Sequence, residues 1–229
     1  MDAAEILICY RQFRERTNAH HNRAISHVST DTMLERARQI GLAAGRAFLL
    51  DEDDTEWALI NDLALYTAPA GRSRAVDRYA KSAIPKVTGM DAQILQGMRG
   101  AKFSMWRVEH HHDQAGVILS DVLRGGEVWL VDEGFASVAK PGWAGAMRLM
   151  PVDAFFISCG ALVPMDEATM ADAVADRLGW VRTNNLQRVA DDPRFAIALY
   201  RAAIEHGAMS RVRYHALGDP LPGVGGSLL

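Results

Sequence analysis

The first apolar positions of the chain, Ile6, Tyr10 and Phe13 with Thr17 after them, recur at intervals of four, three and four. That is the period of one helix face, and it predicts a first helix of about 20 residues. Ser29-Thr30-Asp31 offers cap oxygens for a second helix that buries Met33, Leu34, Ala37 and Ile40 and stops at Gly41, a residue suited to the position after a helix. Residues 46–50 are too few for periodicity to choose between a strand and a helix end. Asp53 and Asp54 cap a third predicted helix, with Trp57, Ile60 and Leu63 or Ala64 inward, which ends in the stretch Thr67 to Gly71. Ser73 is the expected cap of a short basic helix through Ala83, ended by Pro85, and another helix runs from Asp91 to Met98 before Gly100.

Beyond Gly100 helical spacing gives way to short apolar runs divided by turn residues, the pattern of an antiparallel meander. The predicted strands are Lys102 to Glu109, Val117 to Ser120, Glu127 to Val131, Ala144 to Met150 and Ala154 to Ser158. Five strands in so short a span suit a small barrel or curled sheet, because its edges must be closed or covered. Several are apolar on both faces, Val128-Trp129-Leu130-Val131 among them, so one face is expected inside the barrel and the other against helices. Helical spacing returns at Asp166 and continues through Leu178. Asp192 and Pro193 then open a helix that buries Ala196, Leu199, Tyr200 and Ala203 and ends at Gly207. The fold class is therefore α+β. A mainly helical region occupies 1–100, an antiparallel β module 101–163, C-terminal helices 164–209 and a mobile tail 210–229.

An apolar fraction of 49% against 23% charged residues is enough to build a core, so disorder is not expected. The N-terminus has the wrong charge order for a signal peptide, and no apolar run reaches the length of a bilayer, which makes the cytoplasm the expected compartment. Cys9 and Cys159 lie in unrelated segments without a CxxC spacing and read as small buried hydrophobes. A net charge of −3 gives no global attraction for nucleic acid, although an acidic segment at 51–64 precedes a basic one at 70–86.

The β segment resembles a module that accompanies the SEC-C motif in some uncharacterised bacterial proteins. The similarity lies at Ala101 to Ser104, at Asp121 to Glu127 and at Pro141 to Leu149. The chain as a whole looks like a member of an uncharacterised bacterial family. The cysteine-rich SEC-C motif is absent, so the resemblance implies no metal and no activity.

Three groups of residues suggest chemistry. His110 and His112 would share one side of a strand and, with Asp113, could hold zinc or nickel; the bland reading is a polar hairpin turn. His20, His21 and His27 lack the i, i+4 spacing of a helical metal site and read as part of a solvated face. Arg74, Arg78 and Lys81, with Arg72 beside them, form a basic stripe able to meet phosphates, and Phe103, Trp106 and Trp129 could stack on bases. Against that, residues 102–162 carry seven acids to five basic groups. There is no GxSxG elbow and no phosphate-binding glycine loop. The sequence is thus read as an interaction or scaffold protein without catalysis or a required cofactor, with a protein partner or self-association. The alternatives are a transition-metal enzyme using His110, His112 and Asp113, and a nucleic-acid-associated regulator using Arg72, Arg74, Arg78 and Lys81.

Overall fold

The structure, a computed structural model, describes residues 1–50, 55–69, 71–165 and 186–208. The expected caps Asp53 and Asp54, the helix expected from Asp166 and the tail lie outside those residues. Helix α1 (Ala3–Ile25) opens on a capping box between Asp2 and Glu5 and buries Ile6, Tyr10, Phe13 and Thr17, and the same stripe continues through His20 and Ala24. Helix α2 (Thr30–Gln39) begins at Ser29, whose hydroxyl accepts from the Thr32 amide, and it ends with Gly41 at φ +85°. The ambiguous stretch after it forms a small hairpin of β1 (Ala43–Ala44) and β2 (Ala47–Phe48).

Helix α3 (Thr55–Tyr66) is buried from Leu59 onward except at half-buried Asn61 and is the central helix of the molecule. Helix α4 (Ala75–Ala83) has Arg74, not Ser73, at its N-cap, with no side-chain cap bond. The Ser73 carbonyl instead accepts from Arg78. Helix α5 (Gly89–Gly100) leads directly into the barrel.

Strands β3 (Lys102–His111), β4 (Val117–Asp121), β5 (Glu127–Leu130), β6 (Ala144–Val152) and β7 (Phe155–Pro164) close a barrel in the order β3-β4-β5-β7-β6. The barrel is mixed and not purely antiparallel, because β5 and β7 run parallel where Leu130 faces Phe156. The reason is the long divider after β5. It folds into α6 (Glu133–Val138), which carries the chain across the barrel end, so β6 pairs with β3 and β7 fills the gap beside β5. This strand order, with a helix between the third and fourth barrel strands, is the connectivity of the OB-type Greek-key barrel. The chain then continues through α7 (Leu186–Asp191) to α8 (Pro193–Glu205), which starts at the expected Asp192 cap.

Alternation along the strands sorts the core into three clusters. Trp106, Val108, Leu119, Leu130, Met147 and Leu149 fill the barrel, and Phe135 and Ala139 close its end. Phe103, Met105, Ala146 and Val163 face outward onto α2, α3 and α8. Met150, Val152, Phe155 and Ile157 face outward onto α1, α4 and α5. Helix α3 supplies both outer clusters, so the helices and the barrel share their cores. Among the described residues, no helix is long and apolar enough to cross a membrane.

Candidate functional site

Arg148 lies on the outer face of β6, between Ala146 in one outer cluster and Met150 in the other. Its neighbours on the strand are apolar, and only a partner on the facing helix can keep a charge there. That partner is Asp62 of α3. Arg148 donates from Nε to Oδ1 at 2.7 Å and from Nη2 to Oδ2 at 3.0 Å, with both side chains almost wholly buried. The Tyr200 hydroxyl donates to Asp62 Oδ2 at 3.0 Å. The guanidinium also sits over two aromatic rings, with Cζ 4.6 Å from the centre of Tyr66 and 5.4 Å from that of Phe103.

A second chain of polar contacts links this centre to α1. Tyr66 Oη lies 2.7 Å from His21 Nε2. Arg14 Nη1 donates to the Ser158 carbonyl at 2.6 Å, and the Ser158 hydroxyl donates to Asp132 at 2.7 Å. Burial, then the nearby Arg14 charge, lowers the His21 pKa to about 4. Burial pushes the Cys159 thiol up to about 12 and holds the Tyr66 phenol well above its ordinary range. At neutral pH the imidazole, thiol and phenol are all uncharged.

Beside Arg148 a cleft of about 230 Å³ opens between the end of α3, the start of β3 and the α7–α8 junction. Tyr66, Phe103, Arg74, Lys102, Arg124 and Arg148 are among its walls, with Asp191 and Asp192 at the far side. Arg124 is bound on all sides, to Asp191, Asp121 and the Phe103 carbonyl.

The histidines expected to bind metal fall into separate settings. His110 stands opposite Ile118, which stands opposite Trp129, and His112 stacks on Trp129 at 4.1 Å, so both imidazoles do lie on the outer face of the barrel. His112 Nδ1 accepts from the Gln114 amide, and His111 contacts the Ala139 carbonyl. Among the described residues there is no group of three His, Cys, Asp or Glu side chains able to hold a metal ion. Asp113 is exposed in the turn.

The basic stripe is only partly free. Arg74 is paired with Asp77 and donates to the Arg99 carbonyl, while Arg72, Arg78 and Lys81 are exposed. Phe103 and Trp106 are core residues, closed to a stacking base. The first residues of the chain lie against this end of the barrel, although Asp113 and Gln114 in the β3–β4 loop stay exposed. The Gln114 side chain donates to the Met1 carbonyl, and Phe13 of α1 packs edge-on against Phe155.

His20 is not on a solvated face. It is buried, with Nδ1 2.8 Å from Tyr79 Oη and Nε2 3.2 Å from Asp91, which also pairs with Arg16. Although partial burial opposes it, the hydrogen bonds from His20 and Arg16 hold the Asp91 carboxyl below its ordinary range. The signal was present in the apolar stripe, since three residues beyond Thr17 is position 20.

Residues 5–211 match a family described as a family of unknown function, DUF7986. No curated protein and no solved structure matches the chain.

Proposed function

The chain belongs to the DUF7986 family, and from that premise we propose that it is an intracellular interaction protein without catalysis of its own. It docks a protein partner on the end of the barrel where α6 turns into β6. The observation that carries this reading is the pair of large apolar side chains there, Val138 at 57% and Trp143 at 46% exposure. Tryptophan held in place by backbone turns is a frequent anchor of protein interfaces. The Trp143 amide donates to the Lys140 carbonyl, and its own carbonyl accepts from the Val108 amide. The Lys140 ammonium lies 5.8 Å from the ring, so the partner that suits this surface offers an apolar pocket beside a carboxylate.

The buried polar centre supports the absence of catalysis. A nucleophile or general base needs a pKa near the working pH. Here the thiol, phenol and imidazole are each displaced from it in the direction that keeps them uncharged. The test is a photoreactive phenylalanine analogue placed at position 138 of the chain in its native cells. One discrete adduct, lost on Lys140→Glu and absent when the same analogue is placed at exposed Ser82, is the expected result. Equal adducts from both positions, or none from 138, would rule this surface out.

A further inference from the structure

We propose that the cleft beside Arg148 is a binding site for a small oxyanion, a carboxylate or phosphate group, and that the open edge of the Arg148 guanidinium is its anchor. This site is separate from the docking surface around Trp143 and does not rest on it. A guanidinium has five N–H donors arranged as two forks. Asp62 takes the fork made by Nε and Nη2. Among the described residues Nη1 has no hydrogen-bond partner, although the side chain is only 6% exposed. Among the described residues, the buried polar side-chain atoms that lack both a partner and solvent are Thr17 Oγ1 and Arg36 Nε, so Arg148 Nη1 still reaches open space. The cleft is the open space that Arg148 lines.

The geometry around this donor is fixed in advance. Asp62 and Tyr200 hold one edge of the guanidinium, and the rings of Tyr66 and Phe103 hold its plane. Such preorganisation reduces the entropy lost when a ligand binds. Two further cationic donors line the same cleft. Arg74 uses Nε and Nη2 on Asp77 and the Arg99 carbonyl and leaves Nη1 without a partner among the described residues. Lys102 is exposed and has no partner among them.

The acids at the far side are engaged elsewhere, Asp191 with Arg124 and Asp192 with the Arg194 amide and side chain. The N-terminus of α8 also meets the cleft at Pro193, and its positive end favours an anion. The volume of about 230 Å³ is smaller than a drug-sized pocket and restricts the occupant to a small molecule or one end of a larger one.

The experiment follows the Arg148 Nε–Hε cross-peak of the ¹⁵N-labelled full chain during titration with sodium phosphate and, separately, with sodium succinate. Chloride holds the ionic strength constant. A saturable shift is expected with at least one probe. Phosphate alone identifies a phosphate-bearing ligand, succinate alone a carboxylate, and both an oxyanion site of broad tolerance. Since Arg148→Lys also disturbs Asp62, the deciding variant is Lys102→Gln, an exposed position outside the core, which should weaken binding by about tenfold. No saturable shift with either probe would overturn the proposal, as would an affinity that Lys102→Gln leaves unchanged.

Discussion

Asp62 and Arg148 stabilise the fold only as a pair. Removing one of two buried charges leaves the other without compensation, at a cost of about 3–5 kcal/mol, whereas apolar replacement of the whole group is often neutral. Arg148→Ala should therefore lower the urea midpoint severely. The triple variant Asp62→Leu, Arg148→Met, Tyr200→Phe should recover most of that loss, and equal losses in the two would show that packing, not charge, is at stake. His21 makes a pH-dependent contribution. Unfolded, the imidazole takes up a proton below its ordinary value of 6.5, whereas in the folded chain it resists protonation until about pH 4. Stability is thus lost as pH falls from 6.5 to 4, by up to about 3 kcal/mol at the lower end. Comparing His21→Gln with the parent chain across that window isolates this contribution, and parallel stability curves would refute it. The pair was legible in principle. Asp62 is the one acid between Trp57 and Tyr66 of α3 and Arg148 the one cation of β6, and each needs a partner that composition alone does not assign.

The elements were legible wherever local spacing set them. The stripe of α1, the Ser29 and Asp192 caps and all five barrel strands follow from patterns a few residues long. The parallel pairing of β5 with β7 was not, because it depends on where α6 delivers the chain, a matter of long-range geometry. The contact of α5 with β6 was equally hidden, since it depends on Gly97 having no side chain. A Cβ at this position would run into the Pro151 carbonyl oxygen, whereas one at Gly100 would meet only the Pro151 ring at an ordinary 3.8 Å. Gly97→Ala should cost about 1–3 kcal/mol by forcing the helix off the strand. Gly100→Ala should change stability little, and thermal unfolding of the two variants side by side checks the contrast.

At the scale of the whole molecule, the helices and the barrel form shared cores with a polar centre at their seam, whose imidazole, phenol and thiol are uncharged at neutral pH. The candidate functional residues were the least legible part of the sequence. His110, His112 and Asp113 attract attention by adjacency, whereas the cleft around Arg148 gathers residues from six separate segments. In the proposed non-catalytic reading this centre holds its charges without reacting, and Cys159 reports on it directly. In a Cys9→Ser variant, the rate of Cys159 alkylation by iodoacetamide should be measured from pH 6 to 10. With the thiol pushed up to about 12, the rate at pH 7.5 should be about a hundredfold or more below that of a free cysteine peptide and should climb without levelling. A rate equal to or above that of the peptide, levelling near neutral pH, would reveal an activated thiolate and contradict the non-catalytic reading.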